Sequence, residues 1–280
     1  MDSPAVARFV AALPAAGSFS VWFGPLRGAD WVSHNADAPH YAASTMKVAL
    51  VVAAYREAEA GRLDLDAPVA VHNRFRSAAG DGRFEIDRSE DSDPEPWRRL
   101  HAEVSLRWLC LRAIVCSSNL ATNLVLESVG APAVTEALAA VGADGSRVTR
   151  GIEDTDARDT GLQNVVTAHD LARTLQSLAS GTAASPAGCS EILATLAAQQ
   201  INDAIPAGLP RGTVVAHKSG WVEGISHDAG IVYPPDRDPY VFAMCTTSGL
   251  TEQASLDLIG AGAAASWADS RVAEPEEARP

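Results

Sequence analysis

Strand-like alternation is confined to the two ends of this chain, and the long stretch between them reads as helix and loop. Ser18–Gly24 (SFSVWFG) and Ala29–His34 predict two strands around a turn at Pro25 to Gly28. The pattern does not return until Thr213–His217, Ala229–Tyr233 and Tyr240–Thr246. Helical runs fill the interval: Met46–Ala60 ending at Gly61, Leu106–Val115, Leu120–Val129, Ala133–Val141, a run opened by the capping-box-like Thr167-Ala168-His169-Asp170, and Cys189–Gln199. A chain that leaves a sheet and later returns to it must carry the middle as an insertion. The expected fold is therefore α+β and two-lobed. An antiparallel sheet is faced by terminal helices near residues 5–13 and Ser255–Trp267, with an all-helical lobe inserted. The expected boundaries are 1–43 with 206–280 for the sheet lobe, 44–205 for the helical lobe, and a disordered tail over 269–280. A functional cleft is expected between the lobes. Residues 72–100, rich in charge, Gly and Pro, read as a long loop or lid.

Composition narrows the possibilities. A net charge of −13 argues against nucleic acid as a partner. No apolar run is long enough to span a bilayer. The N-terminus lacks the basic start and unbroken apolar core of a secretory signal, so the expectation is a cytoplasmic protein, or a secreted one if this is a mature form. The seven histidines form no H-x-H or H-E-x-x-H, and the four cysteines form no C-x-x-C, so no metal or other cofactor is expected. The oligomeric state is open.

The basic residues are the most informative. Of 22, 20 are arginine; the two lysines are Lys47 and Lys218. Arginine supplies charge but cannot accept a proton near neutral pH, whereas a buried lysine can. Both lysines fall in motifs. Ser44-Thr45-Met46-Lys47 is an S-x-x-K opening a helix, with the serine and lysine on one face. Serine is a poor nucleophile without a neighbouring base. Ser117-Ser118-Asn119 lies between two helical runs, and Lys218-Ser219-Gly220 sits at the end of a strand.

In this order and on these elements, the three motifs resemble the S-x-x-K, S-D-N, K-T-G signature of class A β-lactamases and penicillin-binding proteins. The resemblance runs from about Ser18 to Trp267. It extends to Cys116–Asn123, including the later asparagine, and to His227-Asp228 with the strand after it. It implies Ser44 as nucleophile, Lys47 as base or relay, Ser117 as proton donor to the leaving group, and Lys218 as holder of Ser117. Asn119 would orient Lys47 or bind a substrate amide. The backbone N–H groups of Ser44 and Trp221 would form the oxyanion hole. Ser219, Gly220 and His227 complete the implied substrate-binding set.

The sequence departs from that family in four ways. The family's hydrolytic glutamate is followed four residues later by asparagine. Glu153 is the matching candidate, yet Ala157 stands four residues on, and Glu153 lies one place further from Arg150 than the pattern asks. Arg158-Asp159-Thr160 offers another alignment, but it shortens the loop. No arginine lies between Arg237 and Arg271 to grip a substrate carboxylate. The 72–100 segment is longer than the family's. Finally, Cys110 occupies a family disulfide position whose partner is Val51 here, so four free thiols are expected. The expected activity is β-lactamase-like hydrolysis of a small amide or ester. The alternatives are an esterase, amidase or transacylase on the same scaffold, or a sensor that binds β-lactams and keeps them.

Overall fold

The computed structural model describes residues 4–271. Five strands form one antiparallel sheet: β1 (Ser18–Pro25), β2 (Val32–His34), β3 (Val214–Val222), β4 (Ile225–Tyr233) and β5 (Tyr240–Thr247), in the order β2-β1-β5-β4-β3. The principal helices are α1 (Ala5–Ala11), α2 (Lys47–Glu59), α3 (Leu106–Val115), α4 (Asn119–Val129), α5 (Ala131–Ala140), α6 (Thr155–Asp159), α7 (Ala168–Ala179), α8 (Pro186–Ala197) and α9 (Glu252–Asp269). The central strands β1 and β5 are buried on both faces, so they read as largely apolar runs. On the outer face Phe19, Phe23, Phe242 and Met244 pack with Val6 of α1 and Ile259 of α9. On the inner face Trp22, Ile231, Val241 and Cys245 join a core that continues through the helices. α2 is the axis of that core. Val48 to Tyr55 are buried all round it, as an internal helix requires.

Several boundaries move. β3 runs past the expected His217 through Lys218-Ser219-Gly220 to Val222, so the motif lies in the second half of an edge strand. Asp269, assigned by sequence to the tail, ends α9. Its carboxylate accepts from the N–H groups of Ala5 and Val6 and ties α1 to α9. The remainder of the expected tail, residues 272–280, lies outside the described residues. Thr167 does cap α7, accepting from Asp170 N, but the Asp170 carboxylate accepts from Ser146 Oγ instead of returning to the cap. The 72–100 segment is no loose loop. It holds a two-stranded hairpin (Phe75–Arg76 with Arg83–Phe84), a 3-10 turn (Arg88–Glu90) and a helical turn (Pro94–Trp97), and it buries Phe75, Ile86 and Trp97. Among the described residues no helix is long and apolar enough to cross a membrane.

Candidate active site

A cleft of about 660 Å³ is lined by Tyr41, Ser44, Ser117, Asn119, Glu153 and Trp221, with further residues around its rim. Ser44 lies in a 3-10 turn (Ala43–Met46) that runs directly into α2. The entry is tight: Ala43 has a φ of 44°, in the left-handed region. The turn is pressed against β3. A Cβ at Gly220 would lie 2.7 Å from Ser44 N and 2.9 Å from Thr45 N, both backbone atoms. Only glycine lets the strand come this close.

Lys47 is fully buried at the head of α2. Its Nζ donates to Ser117 O at 2.7 Å, Asn119 Oδ1 at 2.9 Å and Ser117 Oγ at 3.2 Å. Lys218, equally buried on β3, donates to Ser219 O at 2.7 Å and to the same Ser117 Oγ at 3.1 Å. Ser117 itself has a φ of 55°, a left-handed conformation that turns the chain between α3 and α4. Burial and the charge of Lys218 hold Lys47 well below the usual lysine range, against a weaker opposing pull from Asp91. Burial lowers Lys218 to about 7, again opposed, here by Asp228. Two ammonium groups sharing one hydroxyl in a dry site favour one of them neutral.

Glu153 is half-buried on the loop before α6, with a φ of 65°. Its Oε2 accepts from Asp87 N at 2.8 Å. Burial raises its pKa, and the nearby charges of Glu90, Asp87 and Asp91 add to the rise, while the Asp87 hydrogen bond opposes it. Among the described residues two buried side-chain oxygens have no hydrogen-bond partner, Glu153 Oε1 and Ser219 Oγ. Asn123, the later asparagine of the second motif, both donates to Ile152 O and accepts from Ile152 N, fixing the backbone immediately before Glu153. Ala157 is buried, its N–H capped by Asp154, and offers no side-chain polar group.

The structure thus brings Ser44, Lys47, Ser117, Asn119, Lys218, Gly220, Trp221 and Glu153 together around one cleft. Ser219, between Lys218 and Gly220 on β3, is buried. His227 does not join them. It is buried in β4, with Nε2 2.8 Å from Tyr41 O, and Nδ1 2.8 Å from Ser226 O and 3.1 Å from Thr246 N. Both ring nitrogens are engaged by backbone, so it braces Tyr41 and has none left for a substrate. The region around Arg237 supplies no cation to the cleft: its guanidinium stacks on Trp267 at 4.1 Å. Among the described residues the arginines that line the cleft are Arg150, on the Glu153 loop, and Arg158, in α6. Sequence reading missed Asp91. Its carboxylate accepts from Ser118 Oγ, Asn119 N, Leu120 N, Asp93 N and Trp97 Nε1. The signal available was Ser118, which stands where the signature has an acid. Among the described residues no group of three His, Cys, Asp or Glu side chains is placed to hold a metal. The four cysteines are buried and free.

A sheet lobe and a helical part meeting at a serine–lysine–serine–lysine cluster define a class, and the whole chain agrees with it. Residues 5–268 match the Beta-lactamase enzyme family, and the chain belongs to that family. Among its relatives are β-lactamases of Streptomyces albus G, 28% identical over 60% of this chain and 55% of that protein, and of Streptomyces lavendulae, 31% identical over 53% and 50%. The matched stretches thus span about half the length of these relatives. The β-lactamase structure from Sphaerobacter thermophilus DSM 20745 is 28% identical and superposes over 98% of this chain and 100% of that one, with a TM-score of 0.81. The structure of PBP-A, 21% identical with 93% of each chain covered and a TM-score of 0.78, shares the fold.

Proposed function

We propose that this protein is a β-lactamase-like serine hydrolase working through an acyl-enzyme at Ser44. The observation that carries this reading is Ser117 Oγ, held between two buried lysine amines at 3.2 and 3.1 Å on the cleft that Ser44 and Glu153 line. Ser44 Oγ attacks the substrate carbonyl and gives its proton to neutral Lys47. The N–H groups of Ser44 and Trp221 receive the developing oxyanion, a placement that the close approach of Gly220 supports. Ser117 passes its proton to the leaving nitrogen or oxygen and is reprotonated from Lys47, while Lys218 stabilises the hydroxyl's negative character. Glu153, raised in pKa and with Oε1 unpartnered, then takes a proton from the water that releases the acyl group. His227 has no part in this scheme. The division at 43/44 and 205/206 then places the nucleophile and Lys218 in different lobes, and the four free thiols fit a reducing, cytoplasmic setting.

The substrate is a small amide or ester. An ester, amide or acyl-transfer substrate without a carboxylate is favoured as the second reading by one observation: beyond Lys218, the cleft wall at the end of β3 carries Trp221, Val222 and then Glu223, an acid that disfavours a substrate carboxylate there. The test is to incubate the protein with a chromogenic β-lactam and with simple aryl esters, following turnover and adduct mass together. Turnover of the lactam with a transient adduct that Ser44→Ala abolishes is the expected result. An adduct that survives in Ser44→Ala or maps to Ser117 contradicts the assignment. Turnover of esters alone selects the second reading.

A further inference from the structure

The segment that sequence reading treats as a loop or lid touches both halves of the site. Toward the Glu153 loop it makes four contacts. Asp87 N donates to Glu153 Oε2. Ser77 Oγ and Ala78 N donate to the buried Asp154 carboxylate, at 2.7 and 2.8 Å, and Asp154 caps α6. The Phe84 ring lies on Gly151, so close that a Cβ there would be 2.7 Å from Cζ. Toward the second motif it makes three more. Asn119 Nδ2 donates to Glu90 O, the Asp91 carboxylate gathers the first N–H groups of α4, and Ser92 Oγ donates to Cys116 O. Buried Phe75 and Ile86 anchor the segment to the helical core, so it is not built to swing open.

We propose that residues 75–93 form a positioning strap that sets Glu153, the base of the hydrolytic step, against the Ser117–Asn119 turn that serves acylation. This rests on the acyl-enzyme reading above. Through Asp87, Ser77 and Phe84 the strap governs where the Glu153 carboxylate stands, and through Asp91 it supplies the acid that Ser118 does not. Loss of the Glu153 contacts slows hydrolysis of the acyl-enzyme and leaves its formation intact, because the strap holds the Ser117–Asn119 turn through other residues, Glu90, Asp91 and Ser92, whose bonds stay in place.

Asp87→Pro deletes the one N–H that Glu153 accepts from, and the native φ of −80° is within proline's range. Asp87→Ala, which keeps the N–H, separates loss of the bond from loss of the side chain. The experiment measures burst-phase acylation by a chromogenic β-lactam and decay of the adduct in both variants. The expected result is decay about 10-fold or more slower in Asp87→Pro than in Asp87→Ala, with acylation within about 3-fold. Equal decay in the two, or equal slowing of both steps, overturns the proposal. If Asp87→Pro does not fold, Ser77→Ala is read for the same split against wild type. Glu153→Gln is run alongside. If it does not stall as an adduct, the acyl-enzyme reading fails; if it stalls while the strap variants decay normally, the strap proposal alone fails.

Discussion

Two lysine amines around one hydroxyl can act only if they carry different charges. Burial and the charge of Lys218 hold Lys47 well below the usual lysine range, and burial lowers Lys218 to about 7, so one amine can serve as a neutral base while the other keeps its proton. A base works when it has lost its proton, so acylation rises with pH as Lys47 deprotonates. An electrostatic partner works while it keeps its proton, so acylation falls as pH passes about 7, where Lys218 titrates. The two limbs belong to the pair as a unit. Burst-phase acylation measured against pH should therefore be bell-shaped in wild type. Lys47→Arg should be slower by about 100-fold or more, with the rising limb gone, since arginine stays protonated. Near-native acylation in that variant means Lys47 is not the base. This much of the site was legible in the sequence because a chain that otherwise uses arginine keeps lysine at two places. His227 was named from likeness to the family's strand after the third motif, and such likeness does not say what surrounds a side chain: in β4 every position from Ser226 to Val232 is buried.

At the scale of elements, the decisive feature is an edge strand laid against a 3-10 turn. β3 is an edge strand, and the Ser44 turn lies so close to Gly220 that there is no room for a methyl group. The contacts are backbone atoms, which cannot swing aside as the end of a flexible side chain would. Gly220→Ala should thus push β3 from Ser44 and cut acylation by about 100-fold or more while secondary structure by circular dichroism is kept. Normal acylation in this variant contradicts an oxyanion hole between these two elements. The strands and long helices were legible because their apolar spacing repeats. The strap was not: its two-residue strands are too short for a period, and its contacts are single hydrogen bonds to partners dozens of residues away, such as Ser77 to Asp154. Asp91 was hidden for the same reason. It lies 27 residues before Ser118, whose hydroxyl it accepts from.

For the whole molecule, the fold gives the two chemical steps different residues on supports that only partly overlap. The acylating groups come from the Ser44 turn, α2, the Ser117 turn and β3, whereas Glu153 stands on a loop held by Asn123 and the strap. Such a division lets the second step fail without the first. Intact-mass spectrometry of Glu153→Gln mixed with a chromogenic β-lactam tests this most directly. The account predicts that the variant acylates at a near-native rate and then stalls as a single adduct, mapped to the Ser44 peptide, while wild type under the same conditions returns to its unmodified mass. Equal turnover by Glu153→Gln and wild type, or a stalled adduct in wild type itself, would contradict it.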